Sequence, residues 1–341
     1  MAQSAGEPHR PGSVDVARLA GVSQKTVSRV MNSEPYVRAE VRERVLVAAR
    51  QLGYRPNAAA RSLTSGRSRR LGVVALGGGL YGPGAMVADI ERTAREVGYS
   101  VSVAYTHEND EHGVKDALKL LLQQDVEGIV LTEAIDEGQI DVTLDVPVLT
   151  IGRFPGLTAS RRIRVAEQPD RSGYLATRHL IGLGHSQVRH VTGPMSWWAS
   201  RDREQGWRSA LEEAGLPVVD PLAGDWSVQG GYAAGLRLAK DETATAVFVA
   251  NDDMAIGVVR ALFDQGIAVP ARISVVGMDD VPAAAYLRPS LSTVAQDFTE
   301  LVEAGIGRLI AAMETPEAGE EHLPLRDRPL RIRESTAPPT P

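Results

Sequence analysis

Between residues 13 and 53, apolar positions recur at helical spacing in three short stretches, each closed by a turn signal. The first spans Val14–Ala20. Gly21-Val22-Ser23 then makes a tight turn, and Ser23 is a good N-cap for a second helix over Gln24–Met31. A third runs over Arg38–Leu52, with Val41, Val45, Ala48, Ala49 and Leu52 on one face and Gly53 as its stop. Helix, glycine-bearing turn, helix and supporting third helix make the helix-turn-helix pattern. On the second helix Val27, Val30 and Met31 fall on the face toward the other helices, which leaves Gln24, Lys25, Ser28 and Arg29 outward.

From Leu71 the pattern changes. Short apolar runs read as strands over Leu71–Leu76, Val101–Tyr105, Gly128–Thr132, Val146–Ile151, Val188–Thr192, Ala246–Ala250 and Ile273–Gly277. Between them lie amphipathic stretches such as Met86–Val97, Tyr174–Leu183, Asp202–Ala214 and Met254–Gln265. This alternation predicts parallel sheets flanked by helices. The run to Arg333 is too long for one mononucleotide unit, and two α/β lobes with a cleft between them fit it better.

Charge sharpens this division. The chain of 341 residues carries 37 Lys+Arg and 43 Asp+Glu, and its net charge of −6 would by itself argue against a nucleic-acid partner. Residues 13–70, however, hold 12 basic and 4 acidic side chains, net +8, whereas residues 71–341 are net −14. Such a split is a signal for a nucleic-acid module joined to something else. With 43% hydrophobic and 23% charged residues the chain is ordinarily globular. The absence of cysteine excludes disulfides, thiolate zinc sites and cysteine nucleophiles. No apolar run approaches the ~20 residues that span a bilayer. The polar start, residues 1–12, reads as a disordered tail and not as a secretory signal, which points to a cytoplasmic protein with no membrane partner.

The outward residues of the second helix have the chemistry to read DNA: Gln can pair with adenine, and Lys or Arg with guanine. A small solvated bundle with a basic face would show the same pattern. The wording of the segment is more specific. Asp15-Val16-Ala17, AGVSQKTVSRVMN (Ala20–Asn32) and LGYRPNAAARSL (Leu52–Leu63) resemble the LacI–GalR family of bacterial repressors. That resemblance implies a DNA-contacting set of Ser23, Gln24, Lys25, Thr26, Ser28 and Arg29, with Gln24 and Lys25 reading operator bases. It also implies a hinge helix over residues 57–63 that forms on operator DNA, with Asn57, Ala60 and Leu63 at the minor groove and Leu63 as the inserted wedge. A helix this short is marginal in water, so it can order on binding. Two residues depart from the family pattern: Gly12 and Arg38 stand where Thr or Ser would cap the first and third helices. Each change weakens a cap by ~1 kcal/mol and predicts a looser head.

The resemblance continues through GPMSWWASRDREQGW (Gly193–Trp207), GDWS (Gly224–Ser227), ANDDMAIG (Ala250–Gly257) and ISVVGMDD (Ile273–Asp280), and is closest to the lactose-repressor branch of that family. It implies a periplasmic-binding-protein-like effector domain over residues 71–333. One lobe would cover about 71–167 plus 295–322, the other about 168–294 plus 323–333, and a tail would follow over 334–341. It further implies that Arg203, Trp226, Asn251 and Asp279 hold a small sugar, with Leu80 at an apolar contact. The chemistry suits a sugar: an indole stacks on the apolar face of a pyranose, and the polar groups can fork its hydroxyls. Each also has a bland reading, Trp226 as core and Asp279-Asp280 as a helix cap. Trp197 and Trp198 could add a second stacking surface, and a surface or lobe-contact role is the alternative. Phe154–Ser172 fits the family poorly, with Glu167-Gln168 standing in for an expected Asp-Gln or Asp-Asn pair.

A rival motif lies in the same region. Gly77-Gly78-Gly79-Leu80-Tyr81-Gly82 follows a strand and matches the G-x-G-x-x-G dinucleotide fingerprint. Its acidic partner is poor, since His107 and Glu108 come late, and Pro83 interrupts where a phosphate-binding helix should open. The blander alternative is a glycine loop lining the cleft at the carboxyl edge of a sheet. No catalytic or metal-binding constellation stands out, and no cofactor is called for. The expectation is therefore an all-α helix-turn-helix head on an α/β two-lobed effector domain: not an enzyme, but a homodimeric repressor of pseudo-palindromic operator DNA, released by a small sugar. Also open are a purine, nucleoside or phosphoprotein corepressor and a nucleotide-binding oxidoreductase; a secreted or surface sugar-binding transport protein is the further alternative, against which the lack of a signal peptide and the DNA-binding head argue. After Arg333 the remaining ESTAPPTP is too short and Pro-rich for a coiled coil, so tetramers by that route are not expected.

Overall fold

The computed structural model describes residues 11–31, 36–54, 66–107, 113–132, 135–136, 138–165, 171–315, 319–323 and 329–340. The chain divides into two units, Met1–Ser68 and Arg69–Pro341.

In the first unit three helices enclose a small core: α1 (Ser13–Ala20), α2 (Gln24–Met31) and α3 (Ala39–Leu52). Val16, Ala17, Ala20, Val27, Val30, Val45, Ala48 and Ala49 are buried together, with Met31, Leu52 and Tyr54 packed against them. Gly21 (φ 65°) and Gly53 (φ 62°) end α1 and α3 in the left-handed region that L-residues avoid. Arg38 makes no side-chain cap on α3, as its side chain predicts. At α1 the loss is partly made good, because the Gly12 N–H donates to Asp15 Oδ2 at 2.9 Å. The hinge segment, with Asn57, Ala60 and Leu63, lies outside the described residues.

The second unit is built on two six-stranded sheets. One, the N-lobe sheet, combines β1 (Arg70–Leu76), β2 (Ser100–Thr106), β3 (Gly128–Leu131), β5 (Val148–Ile151), β7 (Arg161–Val165) and β13 (Gly319–Leu323) in the order β13-β7-β5-β3-β1-β2. The other, the C-lobe sheet, combines β8 (Val188–Thr192), β9 (Leu222–Ala223), β10 (Ala246–Val249), β11 (Ser274–Asp279), β12 (Ser292–Ala295) and β14 (Leu330–Arg331) in the order β14-β12-β11-β10-β8-β9. All their pairings are parallel except β12 with β14. A separate parallel ribbon joins β4 (Val142–Leu144) to β6 (Leu157–Ala159). The central strands are covered on both faces, which is why they are uninterrupted apolar runs. In the N-lobe, α4 (Tyr81–Glu96) and α10 (Thr299–Glu314) cover one face and α5 (Gly113–Leu122) the other. In the C-lobe, α8 (Val228–Leu238) and α9 (Asp252–Asp264) cover one face, while α6 (Ser172–Gly182) and α7 (Trp198–Glu213) cover the other.

After β12 the chain leaves the C-lobe sheet, forms α10 and β13 on the N-lobe, and returns with β14. The segment that fits the family poorly contains β6 and β7, and β7 lies in the N-lobe sheet between β5 and β13. Its Arg-rich strand (RRIRV) hides its apolar alternation, because Arg162 is itself buried and donates to the Leu157 and Phe154 carbonyls. Glu167 and Gln168 lie outside the described residues. The Pro-rich end is not a free tail. Ser335 is fully buried; its hydroxyl accepts from the Ser292 N–H and donates to the Val275 carbonyl, and Thr340 reaches the Ala271 carbonyl. Proline blocks a regular strand there, so isolated backbone and hydroxyl bonds strap the segment to β11 and its neighbours.

Candidate functional site

On the first unit, Ser23, Gln24, Lys25, Ser28 and Arg29 are exposed and Thr26 is half-buried. Ser23 Oγ accepts from the Thr26 N–H at 3.2 Å and lies 2.9 Å from its hydroxyl, which caps α2. Gln24 Nε2 donates to Ser13 Oγ at 2.9 Å and is thereby oriented from α1. The first two turns of α2 thus present a polar, basic edge with the donors and acceptors that base edges require.

On the second unit the predicted ligand residues lie at or beyond the carboxyl ends of C-lobe strands, where α/β sheets place their ligand sites. Asn251 follows β10, Asp279 ends β11, Trp226 lies between β9 and α8, and Arg203 sits in α7 after β8. The helix pair that carries Arg203 packs unusually close, because a Cβ on Gly173 of α6 would lie 2.0 Å from the Arg203 carbonyl oxygen. Arg203 is buried, donates to the Ala250 carbonyl at 2.6 Å, and lies 5.6 Å above the Trp226 ring. Trp226 adopts φ 70° and rests on Gly193, where a Cβ would come within 2.2 Å of its ring. Asn251 links the two loops: its Oδ1 accepts from the Met254 N–H at 2.9 Å and its amide donates to the Trp226 carbonyl at 3.0 Å. Asp279 and Asp280 both have positive φ, 126° and 59°, a pair of strained residues at the strand end.

Leu80, the residue before α4, joins Trp226 in one apolar cluster with Trp197, Tyr81 and Ile135. Trp226 is only 4% exposed, so its indole is as much core as platform here, and its buried N–H has no partner among the described residues. Neither neighbouring tryptophan offers a second stacking face. Trp197 is buried edge-on to Trp226 (5.3 Å, 63°), and Trp198 is covered by Arg153 and Arg201.

The glycine loop opens into a helix without interruption. Pro83 falls in the first turn of α4, where its missing N–H costs nothing. His107 packs against Gly77, not out toward a ribose.

Two residues of the site escaped the sequence reading. Tyr81, beside Leu80, faces the acidic strand end; burial raises its hydroxyl pKa, and the carboxylates of Asp279, Asp280, Asp252 and Asp89 raise it further. Asp252, which the sequence pattern does not single out, is fully buried. It accepts from the Val281 N–H at 2.9 Å and the Thr293 hydroxyl at 2.7 Å, and burial pushes its pKa up to about 6. It thereby holds the strained turn that carries Asp279. Only its place next to Asn251 marked it in the sequence.

Two histidines have structural work. His190 stacks on Phe248 (4.8 Å) and Trp207 (5.4 Å) deep in the C-lobe, and His185 bonds to Thr245, Ser274 and the Ala337 carbonyl. Among the described residues no helix is long and apolar enough to cross a membrane.

Comparison with known proteins follows the same two-part division. Residues 14–57 match the family of bacterial regulatory proteins, lacI family, and residues 177–336 match a periplasmic binding protein-like domain. The lactose operon repressor of Escherichia coli (strain K12) is 34% identical over 301 residues, 87% of this chain and 83% of that one. The ribose operon repressor of the same strain is 34% identical over 318 residues, 91% and 96%. A PurR repressor of Haemophilus influenzae (strain PittEE) is 31% identical over 313 residues, 89% and 92%. Among solved structures, the lac repressor dimer bound to operator and the anti-inducer ONPF matches with TM-score 0.79 and 30% identity, covering 96% of this chain and 100% of that one. A transcriptional regulator CelR–cellobiose complex matches with TM-score 0.64 and 28% identity, covering 96% and 100%. A helix-turn-helix head with an outward basic edge, joined to a two-lobed periplasmic-binding-like domain, places the chain in the lacI family of bacterial regulatory proteins.

Proposed function

We propose that the chain is a cytoplasmic, homodimeric transcriptional repressor, not an enzyme, that reads a pseudo-palindromic operator through Gln24, Lys25 and Arg29 and is released by a small sugar. The observation that carries the sugar reading is the grouping of Arg203 and Asn251 on Trp226, with Asp279 at the carboxyl end of the neighbouring strand and Leu80 in the same apolar cluster as Trp226. One aromatic plane with a few converging donors and acceptors is the usual design of a small-ligand site. Relatives named for lactose, ribose and cellobiose point the same way. A purine effector is the second reading, favoured by the PurR relative.

In this mechanism the hinge segments 57–63 of two chains pair as helices on the operator, and Leu63 wedges the minor groove. A sugar in the cleft changes how the lobes sit against each other and separates the hinges. Coupling requires the sugar to bind the two arrangements with different affinity. The test is a thermal-shift panel of lactose, cellobiose, ribose, adenine and guanine, followed by operator binding with the compound that shifts. A sugar that raises the melting temperature and weakens operator binding is expected; a response to the purines alone would overturn the sugar assignment. Trp226→Ala should abolish the response and leave operator binding intact, whereas Leu63→Ser should weaken operator binding and spare the response.

A further inference from the structure

The two lobes are joined beside the cleft by a cluster of side chains distinct from the predicted ligand set. Arg153, just after β5 of the N-lobe, donates to both carboxylate oxygens of Asp202 in α7 of the C-lobe, at 3.0 and 3.2 Å. In the opposite sense, Arg201 of α7 donates to Asp136 of the N-lobe at 2.8 Å. Trp198 lies between the two arginines, 5.1 Å from the Arg153 guanidinium and 4.3 Å from that of Arg201. The backbone closes the same seam, since Ile135 bridges Trp197 and the Asp136 N–H donates to the Ser196 carbonyl at 2.9 Å. The four charged side chains are 16–36% exposed, sheltered enough for charge-assisted bonds to be stronger than on an open surface.

The placement matters because Arg201, Asp202 and Arg203 are consecutive. The first two reach across to the N-lobe, while the third is turned inward onto the Ala250 carbonyl and over Trp226. One helical turn is thus held from both sides.

We propose that Arg153–Asp202 and Asp136–Arg201, with Trp198 clasped between their arginines, form an interlobe latch that positions Arg203 for the sugar. The latch stabilises the closed arrangement of the lobes, and opening it loosens the turn that carries Arg203. Arg153, Asp136, Arg201 and Asp202 are positioning residues; none of them needs to touch the ligand. The link to ligand affinity rests on the sugar-site reading above, but the latch itself does not.

The experiment uses the full chain without ligand and reads acrylamide quenching of tryptophan emission. Trp197, Trp207 and Trp226 are each 4% exposed or less in the latched arrangement, so added quenching reports on opening of the seam that holds Trp197 and Trp198. Arg153→Gln and Arg153→Asp should each raise the quenching constant about twofold while far-UV circular dichroism stays unchanged. The reversed pair Arg153→Asp with Asp202→Arg should recover most of the loss, which a merely structural role for Arg153 would not allow. Quenching unchanged in both single variants, or a reversed pair as accessible as Arg153→Asp, would overturn the latch. In parallel, Arg153→Gln should weaken binding of the sugar identified by the panel about tenfold, and wild-type affinity in that variant would overturn the positioning of Arg203. If no sugar binds the wild-type chain, the sugar reading fails and quenching alone decides the latch.

Discussion

The side-chain amide of Asn251 donates to the main-chain carbonyl of Trp226 at 3.0 Å while its oxygen caps α9. One side chain thus fastens Trp226 to the start of a helix. Asn251→Ala should cost about 1–2 kcal/mol, from the lost cap and the unmet Trp226 carbonyl, in urea unfolding at pH 7. Asn251→Asp keeps the cap acceptor and loses the donor, so it should retain more of the stability than Ala and still impair the effector response. Equal losses from the two substitutions would show that the Trp226 tie contributes little.

Gly193 permits the indole of Trp226 to lie on the backbone. Gly193→Ala places a methyl group 2.2 Å from that ring, so the ring must move. Destabilisation of about 1–3 kcal/mol is expected, together with a changed tryptophan emission spectrum. An unaltered spectrum would show that the ring does not rest there.

His190 and Asp252 give opposite pH dependences. Burial, and secondarily Arg203, lowers His190 from 6.5 to about 4 against the effect of the Phe248 carbonyl bond. Between those values the unfolded chain carries a proton that the folded chain does not. Its contribution is therefore full above pH 6.5 and is lost as pH falls toward 4. Burial raises Asp252 from 3.8 to about 6, so there the folded chain holds the extra proton and stability is gained on acidification through that window. The two partly cancel in the wild-type chain. Asp252→Asn removes only the second, and should steepen the loss of stability from pH 6.5 to 4 by on the order of 2 kcal/mol. Urea unfolding at pH 4.5, 5.5 and 6.5 reads the slope, and parallel wild-type and variant slopes would contradict the assignment of Asp252.

Lys25 is exposed on the first turn of α2. Lys25→Ala should leave the melting temperature nearly unchanged and reduce operator affinity by about 1–3 kcal/mol at the base pair it reads. Fluorescence anisotropy on an operator selected from a random DNA pool, with single-base variants, measures this. A uniform loss across all variants would reassign Lys25 to a phosphate contact. The whole head should lose affinity steeply with salt, as its net charge of +8 over residues 13–70 requires.

Much of this was legible in the chain because it depends on local rules. The helix periods of residues 13–52, the glycine stops at 21 and 53, and the buried strands at 71–76 and 188–192 follow from spacing and turn chemistry within a few residues. β7 was not legible, because its arginines carry charge in the sequence and lose their exposure only when Arg162 finds the Leu157 and Phe154 carbonyls. The anchoring of the chain's end was not legible either: Ser335 is polar by composition and core by contact.

By itself the sequence determined the two-part organisation, the sign of the charge on each part and the outward edge of α2. Periodicity, charge and motif are properties of neighbours along the chain. Tertiary structure decided how those residues are held. It buried Trp226 under Arg203 and against Gly193, gave Asp252 charge of the turn before Val281, and brought Arg153 to Asp202 and Asp136 to Arg201 across 49 and 65 residues of sequence. Such pairings carry no local signature, because a salt bridge or a cation–π contact depends on distance in space and on shelter from water, which only the packed lobes supply.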